Sequence, residues 1–213
     1  MKRFIALIAA FTAALAIAVP ATAGHDDKPS DQVRSYTYHV EPVPHPATGL
    51  NEDVSGTIRV NGLPNGMVNV KVRLSGLSPN LPHAQHLHGD LTGDNTCPTV
   101  DDADEKIDDG LILSDEATDD YGAIKISLTT SGDTSPASAL ALDRFPVADE
   151  NGNLKYNRTF SVEDSMALEN LGVLHFVIHG IDLDSDGSYA SANGPLGAPV
   201  QATIPAGCGG PLD

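Results

Sequence analysis

Met67-Val68-Asn69-Val70-Lys71-Val72-Arg73-Leu74 alternates apolar and polar side chains over its whole length. A period of two places Val68, Val70, Val72 and Leu74 on one face of an extended chain and Asn69, Lys71 and Arg73 on the other, the pattern of a half-buried strand. The same period recurs on either side. Tyr36, Tyr38 and Val40 alternate, as do Ile124, Ile126 and Leu128 within Gly122–Thr130. Ser55–Val60, Ala84–His88, Leu154–Phe160 and Val200–Ile204 are further strand candidates, and the more continuously apolar Val173–Ile181 suits a central strand. Asn61-Gly62, Asn65-Gly66 and Asn151-Gly152 are turn dipeptides. Two short helices are expected. One is capped by Ser135, has Pro136 at its first position and covers Ala137–Leu142; the other covers about Glu163–Leu171 and stops at Gly172. Eight or so short strands joined by long, Asp-rich connections predict an all-β chain folded as an antiparallel β-sandwich. Gly89–Asp120 has no clear strand pattern, and a segment of that length in a compact domain is usually functional or ion-bound.

The start of the chain reads as a secretory signal over residues 1–23. Lys2 and Arg3 form a basic start, Phe4–Val19 is apolar, and Pro20 precedes Ala21-Thr22-Ala23, a small-x-small cleavage pattern. This almost unbroken apolar stretch of at most sixteen residues falls short of the span of about 20 that a membrane anchor needs. No later run approaches that length, so no membrane span is expected. Polar residues 24–34 read as a flexible leader, and 35–213 as one domain. The signal carries two basic residues and no acidic ones, so its removal takes the net charge from −17 to −19. Such a chain does not seek nucleic acid or anionic lipid and attracts cations. Cys97 and Cys208 are its two cysteines. In an oxidising space they are expected to pair; the alternative is two free thiols that bind metal.

The eight histidines are not scattered. Three lie in His83-Ala84-Gln85-His86-Leu87-His88 and two in His175-Phe176-Val177-Ile178-His179. His86 and His88, two apart, share one face of a strand, and so do His175 and His179; His83 would point to the face opposite His86. Two imidazoles converging from one strand, with a third from a neighbour, form a metal site. His25, His39 and His45 have no such company and read as surface residues.

Leu74–His88, with its Gly76-Leu77-Ser78-Pro79-Asn80 turn followed by His83-x-x-His86-x-His88, resembles the segment that enters the copper site in the copper/zinc superoxide dismutase superfamily, which includes bacterial domains related to the CHRD repeat. Cys97, nine residues after His88, Val177-Ile178-His179-Gly180 and Pro205-Ala206-Gly207-Cys208-Gly209 resemble later anchors of that family, in the same order. Leu81–Gly89, Ser127–Pro136 and His179–Asp182 resemble segments of actinobacterial CHRD-type secreted proteins. The resemblance implies a Greek-key, superoxide dismutase-like sandwich, copper ligands at His86, His88 and His179, a Cys97–Cys208 disulfide, and a structural rather than ligating role for His83. His175 has no counterpart.

The chain also departs from that family. No histidine lies between His88 and His175, the interval that supplies the family's zinc ligands and its bridging histidine, so no zinc site of the usual form is expected. Pro205 stands where the family has an arginine that attracts superoxide. The expected function is an extracellular metal-binding or interaction module, with metal ions and extracellular or cell-envelope proteins as partners. The alternative is a copper-only superoxide dismutase-like redox enzyme. Two acidic stretches are candidate calcium sites. Asp182, Asp184 and Asp186 alternate before Gly187, as in the first half of an EF-hand loop, but position 12 is Asn193 rather than Glu. Asp104, Asp108, Asp109 and Glu116 form the second set.

Overall fold

The computed structural model describes residues 33–47, 49, 53–91, 94–103, 110–189 and 192–212. The expected signal segment, most of the leader, and Asp104, Asp108 and Asp109 lie outside them. The Met67–Leu74 alternation becomes strand β3 (Met67–Ser75), whose valines are buried and whose Lys71 and Arg73 are exposed. It pairs antiparallel with β2 (Ser55–Leu63) on one side and with β6 (Leu154–Ser161) on the other. The turn between β2 and β3 is Pro64-Asn65-Gly66, with φ of 62° at Asn65 and 74° at Gly66, the left-handed pair that an Asn-Gly turn supplies. Completing the fold are β1 (Arg34–Pro42), β4 (Gln85–His88), β5 (Ile124–Ser127), β7 (His175–His179) and β8 (Pro205–Gly209). Every pairing is antiparallel, and the strand order is β5-β4-β7-β8-β1-β2-β3-β6.

That order divides into two four-stranded layers. They are stitched where β1 meets β8, at Glu41 opposite Cys208 and Pro42 opposite Gly207. The connections β3–β4, β5–β6 and β6–β7 cross from one layer to the other, as in a Greek-key sandwich. The main core lies between the layers. Tyr38, Ile58, Val60, Val70 and Val72 from one face Leu87, Ile126, Phe176 and Ile178 from the other. The terminal strands β5 and β6 are closed by side chains. Tyr156 Oη donates to the Thr129 carbonyl at 3.0 Å, and the Arg158 guanidinium donates to the Thr129 and Gly132 carbonyls at 2.8 and 2.6 Å. Long polar side chains thus satisfy carbonyls just beyond a strand edge that would otherwise invite another chain.

A second apolar cluster, including Val43, Ile112, Ala117, Tyr121, Val177 and Cys208, sits on the outer face of the β5-β4-β7-β8 layer. Helix α1 (Ser114–Tyr121) covers that face, and the Cys97–Cys208 disulfide ties the covering loop to β8.

Several expectations shift. Val200–Ile204 is not a strand. Val200–Thr203 forms a helical turn, α3, and the strand is Pro205–Gly209. Val200 and Ile204, four apart, also share one side of a helical turn, and β8 takes small residues because β1 lies close: a Cβ on Gly209 would stand 2.1 Å from the His39 carbonyl oxygen. Asn61-Gly62 lies inside β2 rather than at a turn; a Cβ at Gly62 would meet Leu171 at 3.2 Å, so the glycine serves packing between layers. The Ala137–Leu142 helix resolves into two 3-10 turns, Pro136–Ser138 and Leu142–Arg144, with Ser135 capping the first as expected. The second expected helix is α2 (Ser165–Glu169), capped by Asp164 and ending at Asn170; Gly172 falls in the 3-10 turn Leu171–Val173. His45 is buried, not on the surface. Its Nε2 donates to the Pro205 carbonyl at 2.8 Å and its Nδ1 accepts from the Ile112 N–H at 3.0 Å, which fixes a neutral tautomer.

The two cysteines are 111 residues apart in sequence. A Cys97→Ser/Cys208→Ser variant is expected to lose about 4–5 kcal/mol of stability in urea unfolding, from the freed conformational entropy of the unfolded chain. A loss below about 1 kcal/mol would show that residual structure already restrains the reduced unfolded chain.

Candidate metal centre

On β4 the core-facing residues are Gln85 and Leu87, so His86 and His88 point to the outer face of the layer. On β7 the same alternation sends Phe176 and Ile178 inward and leaves His175, Val177 and His179 outside. The strands pair with Leu87 opposite Phe176, and the His179 N–H bonds the Ala84 carbonyl at 2.7 Å. His86, His88 and His179 are thereby gathered: all three are buried, and one ligand atom from each lies within 4.8 Å of the others.

The three rings are held in the same way. His86 Nε2 donates to the Ala139 carbonyl at 3.1 Å, His88 Nδ1 to the Gly122 carbonyl at 2.9 Å, and His179 Nδ1 to the Thr203 carbonyl at 2.8 Å. Each acceptor stands at the C-terminal end of a short helical segment. Ala139 closes the 3-10 turn after Pro136, Gly122 caps α1, and Thr203 ends α3. Carbonyls there lack an intrahelical partner and are free to accept. A neutral imidazole has one N–H, so this bond selects the tautomer and leaves a lone pair on the other nitrogen. Those other atoms, His86 Nδ1, His88 Nε2 and His179 Nε2, are buried without a hydrogen-bond partner. Three partnerless nitrogens aimed at one another are costly in a metal-free chain and are the donor set a soft-to-borderline cation takes.

Burial, then the charge of neighbouring imidazoles, holds these rings neutral. It pushes His88 down to about 3 and His86 well below its ordinary value; burial alone takes His179 to about 4, against the pull of the Thr203 carbonyl. Phe145 stands edge-on to His86 at 5.4 Å and Tyr121 to His88 at 4.5 Å between ring centres. One side stays open: a cavity of about 580 Å³ reaches the three histidines between α1, the Pro136–Leu140 turn and Leu196.

His83 precedes β4, and its ring nitrogens bond the Ser78 and His179 carbonyls, outside the triad. His175 is directly opposite His88, but on β7 it lies four residues from His179, about 13 Å along a strand, and does not join the triad. Asp182, Asp184 and Asp186 do come together, within 4.8 Å. The Asp182 carboxylate also accepts the Asp186 and Gly187 N–H groups at 3.3 and 2.8 Å. Glu116 is buried and accepts the Leu113 N–H at 2.7 Å, capping α1. The residues that sequence reasoning missed are Tyr121 and the carbonyl-bearing Ala139, Gly122 and Thr203. A signal for α1 was present: Ala117 and Tyr121 at i, i+4, acidic residues in the first turn, and a following glycine.

No protein-family model matches the chain, and no curated protein matches it at a significant level. Among solved structures, a crystal structure of the clock protein EA4 aligns over 82% of this chain and 91% of that one, with 16% identity and a TM-score of 0.45. A likeness at that level carries no argument about function.

The folded-state histidine values lie below the ordinary 6.5, so between about pH 6.5 and 3 the unfolded chain binds more protons. Stability from these groups therefore falls as pH drops through that window and levels off below it. In the metal-free protein, stability should decline more steeply with acid in the wild type than in His88→Gln, by up to about 1.4 kcal/mol per pH unit for each proton avoided. Parallel urea midpoints across the window would show that the His88 ring is not held neutral.

Proposed function

We propose that the chain is an exported, CHRD-type domain of the superoxide dismutase-like sort that holds one copper ion on His86, His88 and His179 and acts as an extracellular metal-binding module. The observation that carries this reading is the set of three buried, partnerless imidazole nitrogens, each fixed by a carbonyl bond on the far side of its ring. Hydrogen bonds of this kind orient metal-bound histidines and raise their basicity. The disulfide suits an oxidising, extracellular setting. Among the described residues, no helix is long and apolar enough to cross a membrane. Three imidazoles suit copper, zinc or nickel alike; the resemblance of the His86-x-His88 segment to a copper-site segment selects copper. Asp182, Asp184 and Asp186 are proposed as a separate structural calcium site.

A second reading, a copper-only redox enzyme, is favoured by the cavity that leaves one side of the triad open. An open coordination position is what a catalytic centre keeps. Against rapid handling of superoxide, the described lining of that cavity includes Asp115 and Asp119 and no lysine or arginine. Negative charge at the entrance slows an anionic substrate.

Metal content tests the site that both readings share, and superoxide consumption decides between them. Purified protein supplied with copper, zinc and calcium is expected to retain about one copper per chain and to melt higher when loaded, because a ligand that binds only the folded state stabilises it. His86→Ala/His88→Ala should retain none and show no shift. Copper retained equally by both proteins would sink the proposal. Superoxide consumption by the loaded wild type alone would move the assignment to the enzyme.

A further inference from the structure

The sequence holds 12 basic residues against 29 acidic ones. Three of the arginines serve the fold: Arg34 donates to the Leu168 and Glu169 carbonyls, Arg144 to those of Ser131 and Asp133, and Arg158 to those of Thr129 and Gly132. Arg59, Lys71, Arg73 and Lys155 are different. All four are exposed on the outer face of the β1-β2-β3-β6 layer, and none has a hydrogen bond or ion pair among the described residues. Their spacing is set by register. Arg59 lies directly opposite Lys71, and Arg73 directly opposite Lys155. The four occupy two adjacent cross-strand rows, about 4.8 Å apart between strands and about 6.8 Å apart along them. Like charges placed opposite each other cost a sheet stability, so the fold gains nothing from the array.

The surroundings are also unusual for so acidic a chain. The two cationic rows continue into Thr57 and His39 on one line and into Thr37 and Asn157 on the other. The next row is Ser35, Asn61, Asn69 and Thr159, linked by side-chain hydrogen bonds. None of the three rows contains a carboxylate, and the exposed His39 imidazole, at the β1 end of one row, is their single ring. Lys155 does sense the carboxylate of Asp149, at the turn before β6.

We propose that this face binds an acidic polysaccharide, a glycan chain carrying repeated sulfate, carboxylate or phosphate groups. Regularly spaced cations on a rigid sheet match a polymer whose charge repeats, and the adjoining hydroxyl and amide side chains match sugar hydroxyls. A single-stranded nucleic acid is disfavoured because the rows offer one imidazole, His39, where stacking of successive bases needs a series of rings. A second copy is disfavoured because two chains of net charge −17 repel. The proposal is independent of the metal centre, which lies on the opposite layer.

The full chain as secreted would be passed over immobilised heparin, polygalacturonate and neutral dextran in rising salt. Beside it would run Arg59→Gln/Lys71→Gln/Arg73→Gln/Lys155→Gln, the double variant Arg59→Gln/Arg73→Gln, and Lys125→Gln on β5 as a control. Wild type and control should bind both acidic polysaccharides and not dextran. The quadruple variant, with an unchanged melting midpoint, should bind at least about tenfold more weakly, its salt slope reduced by about three to four. The double variant, intermediate in both, serves as the test if the quadruple variant fails to fold. The proposal is overturned if wild type binds neither acidic polysaccharide at about 20 mM salt, where screening is weakest. It is equally overturned if the variants bind as wild type does, or if a single-stranded oligodeoxynucleotide or a polyglutamate peptide binds more tightly than either polysaccharide.

Discussion

Each imidazole of the triad has a single N–H and gives it to a carbonyl at the end of a short helical segment. The site depends on that constraint. A histidine whose N–H pointed inward would present a proton where a lone pair is needed, and three rings free to rotate would lose the convergence of their nitrogens. The helix ends supply acceptors that have no other intrahelical use. They also hold partial negative charge against the outward side of each ring, which raises the basicity of the inward nitrogen. The three helical segments are minor elements of the fold by length, yet they set the chemistry of the centre.

The sandwich exists to hold those segments in register. β4 and β7 bring the histidines to one face, but the carbonyls come from connections that must be fastened separately. α1 is pinned at its start by the Ser114 hydroxyl, which donates to the Thr203 carbonyl, so that two of the three acceptor-bearing segments are joined directly. The Thr203 oxygen serves both Ser114 and His179 with its two lone pairs. At the other end of α1, Gly122 adopts φ of 79°, and a Cβ there would lie 2.7 Å from the Gly89 carbonyl carbon. Glycine lets the helix stop close enough to β4 for its carbonyl to reach His88. The disulfide and the buried His45 fasten the strands and the covering loop on the same side.

Legibility followed the physics of each element. Strands with one face in the core and one in water carry their signal in every second residue, so β1, β2, β3 and β6 were readable from alternation. The His86–His88 pair was readable for the same reason, since a strand puts i and i+2 together. Alternation alone left His175 and His179 equivalent; the resemblance of Val177–Gly180 to a family segment selected His179, and the register of β7 against β4 supplies the physical reason. β8 was hidden because Pro205-Ala206-Gly207-Cys208-Gly209 has little strand propensity; it is a strand because β1 approaches too closely for larger residues. The carbonyl acceptors were beyond sequence reading altogether, because a backbone oxygen has no identity in the sequence and matters only through position.

Charge is distributed differently over the two outer faces. The cavity beside the three histidines has carboxylates in its wall, while the opposite layer presents four cations and no carboxylate in its central rows. Between them lie two sheets packed about 10 Å apart, with further side chains on each outside. Both sets of charges are at solvent-facing surfaces, where salt screens them over about 8 Å. A net charge of −17 therefore does not describe what either surface attracts. The acidic side concentrates cations near three lone pairs that lack a partner, and the basic side retains an attraction for anions that net charge alone would deny.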